Sequence, residues 1–575
     1  DPANRTLLDV ATLSDERIVD GTLTIAENEI LGGSGVIEGA VVNDGVFSPG
    51  YSPGLQTFDT YTSTNASTTV IEIAGTGAGG TAFDLTEVTN SATLAGTLEI
   101  VLDSFTPAEG DSFTIMTYTS VTGTFDTITG LTFGTSGFFE YVQNANGITL
   151  TARDGGSADA NPGLTLGATD DVRTLDTFVK DGTYNLLDLS GTADNGTTNN
   201  TFRHIFAAPS AGLTLDAGAG DDNITLGELD LGSAALTVKA ESISQTAGTT
   251  LTSSADITLD ADDAVTHDTA SGDANPINKT IAASINLAGT IDTTGALTLS
   301  ADAVADLKLD GPDLSAAAGS PDEEITAKVD ASVVIADGAS ITASSLDIDA
   351  TADTQIVATA ETNAKLTDAF DVSVTQSAQA GVNDAALTIA GALDVDARDE
   401  LSIDADFEVI DSGLSGALNS LDAAAFGLTL NREARAWIGD DTATTLTLDA
   451  GDVSVNATVA DDAELGGVDA RVDSALVGAI DTTITENAYA AVRNGEAAVS
   501  ALSIAAATES GYRAQGKLAE QSVSGDVSAL LSNIHFTTTA GDVSVTASDR
   551  NVMRATSTGL APDLDAVGSI DLPAL

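Results

Sequence analysis

The sequence predicts an all-β protein in which a solenoid of short stacked strands carries an inserted or N-terminal β-sandwich. Three observations point there. One five-residue pattern recurs through most of the chain. Strands alternate apolar and small polar residues at period two. Proline is absent between Pro321 and Pro562, where it would remove a ladder hydrogen bond from any central strand.

Composition sets the outer bounds. The 575 residues carry 86 Asp and Glu against 20 Lys and Arg, a formal charge of −66, which repels phosphate backbones and anionic lipid surfaces. Nucleic acid is therefore excluded as a partner, and so is membrane insertion, since no run approaches 18 consecutive apolar residues. High charge alone would predict disorder, yet 42% of the residues are hydrophobic, enough to bury a core. Cysteine is absent, which excludes disulfides, thiolate metal sites and cysteine nucleophiles. No charged-then-apolar leader opens the chain, so a mature form or a fragment is expected.

Residues 1–55 are expected to form solenoid rungs, because glycine-spaced runs such as Gly21-Thr-Leu-Thr-Ile25 are each about one turn of a coil. Residues 56–153 are expected to form a separate antiparallel sandwich. Of the 24 aromatic residues, 13 lie between Phe47 and Tyr141, and no Lys or Arg occurs between Arg17 and Arg153. Alternating runs such as Thr68-Thr-Val-Ile-Glu-Ile73 and Ser112-Phe-Thr-Ile-Met-Thr-Tyr118 are separated by turn residues. These aromatics are expected to fill the sandwich core; exposed, they would make it a carbohydrate-binding module. Residues 154–162, small and polar and ending in Pro162, read as a linker.

From 163 to 575 the repeat takes over. Its copies are Leu213-Thr-Leu-Asp-Ala217, Leu236-Thr-Val-Lys-Ala240, Ile257-Thr-Leu-Asp-Ala261, Leu297-Thr-Leu-Ser-Ala301, Leu346-Asp-Ile-Asp-Ala350 and Leu393-Asp-Val-Asp-Ala397. Five more start at Leu401, Leu446, Val453, Leu502 and Val543. The alternation turns Leu, Ile, Val and Ala inward and Thr, Ser and Asp outward. Steps of about 20 residues early and about 40 to 55 later suit one or two turns of a coil per copy. A turn of Asp, Asn or Gly precedes several copies, as in Val334-Ile-Ala-Asp-Gly338 and Trp437-Ile-Gly-Asp440. Short helices are expected at most around Ser415–Phe426 or Arg513–Ser522. Four hundred residues at about 20 to 28 per turn and about 4.8 Å between strands would span on the order of 70 to 95 Å.

Two resemblances follow from these residues. Ser48-Pro-Gly-Tyr-Ser-Pro-Gly-Leu55 with the aromatic stretch behind it resembles a segment of autotransporter-like passenger proteins. The repeat, with Arg435-Ala-Trp-Ile-Gly-Asp440 and Gly451-Asp-Val-Ser-Val-Asn-Ala457, resembles those of giant bacterial surface adhesins and filamentous-haemagglutinin-like exoproteins. That resemblance implies a right-handed parallel β-helix at the cell surface or outside the cell, serving in adhesion or as a structural fibre. The expected partners are further copies joined head to tail, or the rest of a longer chain, together with surface glycans.

Candidate chemistry is sparse. Ala217-Gly-Ala-Gly-Asp-Asp-Asn-Ile-Thr225 matches a calcium-binding nonapeptide except at its first glycine, so calcium is a candidate ligand of Gly218, Gly220 and Asp222. A solitary copy supplies only half of such a site. His204, His267 and His535 lie in different repeats without a ligand partner at short spacing, and are expected to be solvent-exposed or incidental. Acidic pairs at 170–171, 262–263, 440–441 and 461–462 sit where turns are expected. They would serve a polysaccharide-degrading enzyme only if two faced each other across a groove beside Arg or Lys. No nucleophile elbow, phosphate loop or dinucleotide fingerprint occurs, and a non-enzymatic role is expected.

Overall fold

The computed structural model describes residues 6–10, 18–19, 21–50, 53–154, 163–165, 170–180, 184–194, 199–268, 277–310, 323–362, 370–409, 426–440, 446–461, 468–472, 480–516, 518–539 and 541–557. Every regular element among them is a β-strand, and none is a helix. Residues 513–516 and 518–522, one of the two candidate helices, are strand; the other candidate, at 415–426, lies almost wholly outside the described residues. The chain divides into two compact units, 1–235 with 249–252, and 236–248 with 253–575.

The first unit begins as parallel ladders. One inward column runs Leu23, Val41, Tyr61, Ala92, Val121, each paired with the next on a neighbouring parallel strand. A second runs Leu31, Phe47, Thr69, Leu98, Ile128. This corrects the antiparallel reading of 56–153 over its first half, where Thr68–Ile73 pairs with Thr97–Leu102 in parallel. The physical reason is that period-two alternation is the same in either direction. What sets direction is the connection, and here the strands Leu85–Val88 and Ser91–Leu94 lie between, a crossover long enough to bring the chain back the same way round. Antiparallel pairing does appear further on, where Gly147–Asp154 joins both Ser112–Thr117 and Gly137–Asn144, and in the meander Asp170–Lys180, Asn185–Asp194, Asn199–Ala207.

The aromatics fill this unit's core as expected. Phe47, Phe58, Tyr61, Phe113, Phe139 and Tyr141 are buried, with ring centroids 5.2 Å apart for Phe47–Phe58 and 5.3 Å for Phe83–Phe113. Tyr61 keeps its hydroxyl satisfied against Thr69 Oγ1 at 2.8 Å and Asn43 Nδ2 at 3.1 Å, and burial pushes its ionisation up to about 12. Of the residues expected to form the linker, 154–162, Asp154 ends the strand Gly147–Asp154 and 155–162 lie outside the described residues.

The second unit is built on three parallel ladders visited in turn. The chain passes from Ala296–Asp310 to Glu323–Ile335, to Ser340–Ala343, and then returns to the first ladder as Ser345–Thr362. Eight of the eleven repeat copies fall in one register. Leu236, Ile257, Leu297, Leu346, Leu393, Val453, Leu502 and Val543 pair each with the next, and so do the alanines at Ala240, Ala261, Ala301, Ala350, Ala397, Ala457, Ala506 and Ala547. A slip of one residue would turn the whole apolar set outward, so the motif fixes the register. The Leu401 copy continues the same strand as Leu393, and the Leu446 copy lies on the third ladder, where Leu448 pairs with Leu387. Part of the drifting spacing thus comes from strands that lengthen beyond the motif, from six residues at Ala235–Ala240 to eighteen at Ser345–Thr362. On the last rung of the column Val543 and Val545 are 51% and 37% exposed.

At the turns the expected chemistry holds: Gly338, Gly439 and Asn494 have φ of +77°, +79° and +61°. Asp384 N donates to Asp337 Oδ1 at 3.2 Å and Asn533 Nδ2 to Asn494 Oδ1 at 2.9 Å, so these side chains link one turn to the next.

Candidate functional site

The most concentrated chemistry in the second unit lies inside its core. Along Phe426–Ile438 the inward positions are Leu428, Leu430, Arg432, Ala434 and Ala436, and Arg432 is 1% exposed. The residue below it on one neighbouring strand is Gln376, and above it on the other is Glu486, so three polar side chains stack at one step of the column. Gln376 donates to the carbonyls of Ala352 and Glu400, at 3.2 and 3.0 Å.

Arg432 spends its guanidinium on three carboxylates. Nε donates to Asp399 Oδ1 at 2.8 Å, and Nη1 to Glu486 Oε1 at 2.8 Å and Asp461 Oδ1 at 3.2 Å. Nη2 donates to the carbonyls of Asp399, at 3.1 Å, and Ala460. Ser510 Oγ at 2.8 Å and the Tyr512 hydroxyl both donate to Glu486 Oε1. One cation facing three carboxylates leaves an excess of negative charge in a medium that solvates it poorly. Burial accordingly pushes Asp399 and Asp461 up to about 6, against the pull of Arg432 on both. For Arg432 burial works toward loss of the proton, but Asp399 and the other acidic neighbours outweigh it and hold the guanidinium charged. Sequence reasoning passed over this cluster although a signal was there: arginine, glutamine and glutamate each occupy an inward step of an otherwise apolar alternation.

The predicted calcium residues have a different setting. Gly218 and Gly220 are in positive-φ conformations, and Gly218 N donates to Asp216 Oδ1 at 3.1 Å. Asp222 is turned inward, 2% exposed, with Oδ1 accepting from Asp171 N at 2.7 Å; burial pushes its carboxyl up to about 6. The neighbouring Asp171 carboxylate holds Arg173 Nη2 at 2.7 Å, and that guanidinium lies 4.5 Å from the Phe202 ring centroid. Among the described residues no group of three or more His, Asp and Glu is arranged to hold a metal ion.

Of the histidines, His535 is exposed and His267 is buried at 7%. His204 has a polar setting of its own. It is half-buried, with Nε2 2.7 Å from Glu140 Oε1, while Arg153 Nε donates to Glu140 Oε2 at 2.8 Å. Burial alone would raise the Glu140 carboxyl, and these two partners bring it below its ordinary value. Of the acidic pairs, Asp170 and Asp171 fall on a strand, as do Asp262 and Asp263; Asp441 and Asp462 lie outside the described residues.

The outward face of the second ladder carries a contrasting group. Arg435 lies 5.8 Å from the Trp437 ring centroid and 5.5 Å from that of Tyr489, and Arg493 lies 5.5 Å from Tyr489. The indole N–H of Trp437 donates to Asn383 Oδ1 at 2.9 Å. With the sites described, comparison of the chain with family models, curated proteins and solved structures found no match.

Proposed function

We propose that the chain is a structural and adhesive β-solenoid segment of an extracellular bacterial fibre or giant surface adhesin, coiled as a right-handed parallel β-helix and without catalytic activity. The observation that carries this reading is the eight-copy column, in which one short motif returns to the same place on the same ladder from Leu236 to Val543. A repeat in constant register yields length and stiffness, because each strand hydrogen-bonds to its neighbours along the ladder. The outward Thr, Ser and Asp keep that surface wet.

Polysaccharide cleavage is the less favoured reading. It asks for carboxylates and a cation in an exposed groove, whereas Asp399, Glu486 and Arg432 are closed into the core. Electron microscopy of the purified chain over a range of protein and calcium concentrations tests the proposal. Single unbranched rods, or filaments that grow from them, are expected; rounded particles at every concentration would overturn it.

A further inference from the structure

We propose that the outward row Trp437, Arg435, Tyr489 and Arg493 is a binding site for a carboxylated glycan, which names the partner class for the adhesive reading above and rests on that reading. The row is built across two adjacent parallel strands: Arg435 is paired with Tyr489, and Trp437 with Ala491. On the other side Trp437 is paired with Gly381. A Cβ added to Gly381 would stand 2.1 Å from Trp437 Cε2, so the indole lies down over that glycine rather than standing off the sheet. On its opposite flank stands the buried Ala491, and the row through the ring, Val334, Gly381, Trp437, Ala491 and Leu530, is an apolar strip beside the polar row of Ser332, Gln379, Arg435, Tyr489 and Ser528, so the indole forms a flat apolar platform next to a polar rim. A pyranose ring, apolar on its C–H face and polar at its rim, suits such a platform.

Arg435 supplies the selectivity. Its side chain is 41% exposed and its nearest carboxylate, Glu433 Oε1, is 3.8 Å away, beyond hydrogen-bond reach. Among the described residues its guanidinium donates no hydrogen bond, yet it is held between two aromatic rings. An arginine already ordered, with its donor fork unspent, loses little freedom on gripping a planar carboxylate in two-point fashion. In a chain with 20 cations against 86 acids, an arginine placed this way beside the only tryptophan stands apart from the solvated surface around it.

Because Trp437 is the only tryptophan, its fluorescence reports the site directly in the full chain. Titration with de-esterified oligogalacturonate at about 150 mM salt, where surface charge is screened beyond about 8 Å, is expected to give a saturable change in emission. The fully methyl-esterified oligomer should bind at least tenfold more weakly, and Arg435→Lys, which keeps the charge but not the fork, should lose a similar factor for the acidic form. Glu433→Gln removes the neighbouring carboxylate at an exposed position and should tighten binding twofold or more. The proposal is overturned by an unresponsive tryptophan, by equal binding of the two oligomers, by Arg435→Lys binding like the wild type, or by polyglutamate matching oligogalacturonate, which would make the occupant an acidic peptide. Rods seen without glycan binding would sink this inference alone, and glycan binding by rounded particles would sink the solenoid reading alone.

Discussion

At the scale of single residues, the Arg432 cluster makes a definite demand on stability. Removing the cation while leaving Asp399 and Glu486 buried strips them of their main compensation, an effect of about 3–5 kcal/mol for buried pairs broken on one side. Arg432→Leu should therefore lower the urea unfolding free energy of the second unit by about that amount at pH 7, and by less at pH 5, where Asp399 and Asp461 can take protons instead. A loss equal at both values would show that the side chain matters for its volume rather than its charge. The sign of the wild-type pH dependence follows separately. Asp399 and Asp461 are both raised from an ordinary 3.8 to about 6, so the folded form binds protons more tightly than the unfolded chain. The stability this contributes is fully present below about pH 4 and is lost as pH rises through about 6. Asp399→Asn should flatten that slope between pH 4 and 6.5 in denaturant titrations; a slope unchanged in the variant would place its origin elsewhere.

At the scale of strands, the alanine column is a packing statement. Ala301, Ala350 and Ala397 follow one another on adjacent strands at 0–2% exposure, leaving no room for a longer side chain on the same step. Ala350→Leu should cost about 1–3 kcal/mol through overpacking. Thr342→Val, at an exposed outward position, should stay within about 0.5 kcal/mol by the same thermal-unfolding measurement. The contrast would vanish if the interior were loosely packed. This column was legible in the sequence because its spacing pattern and its burial pattern are the same fact: apolar residues at alternate positions, closing on alanine. Strand direction in residues 68–102 was not legible, since Thr68–Ile73 and Thr97–Leu102 alternate identically whether they run parallel or antiparallel. The buried polar step was half legible. Arg432 stands at an inward position of its strand, but nothing in Phe426–Ile438 reveals that Asp399, Asp461 and Glu486 from three other strands and Ser510 from a connection converge on it, with Tyr512 bonded to Glu486 behind them. The outward aromatic row was hidden for a like reason. Arg435 and Trp437 are two residues apart, whereas Tyr489 comes beside them only through register.

At the scale of the whole molecule, charge dominates. A formal −66 sets outward carboxylates against one another wherever the register stacks them, as it does for Asp347 beside Asp394 and Asp349 beside Asp396. Burial first and these neighbours second push all three of Asp347, Asp349 and Asp394 above their ordinary range, Asp349 to about 6. The unfolded chain, more expanded, relieves such repulsion, so the folded state carries the larger electrostatic cost at low ionic strength. Added salt shortens the screening distance from about 30 Å at 0.01 M to about 10 Å at 0.1 M and so removes more cost from the folded state than from the unfolded one. The thermal midpoint at pH 7.5 should therefore rise steadily between 0.01 and 0.5 M sodium chloride, and rise less at pH 5, where some of these aspartates are already neutral. Scanning calorimetry measures both. A midpoint that falls with salt would mean that attractive ion pairs such as Arg203 with Asp188 and Arg432 with its carboxylates outweigh the repulsion of the acidic face.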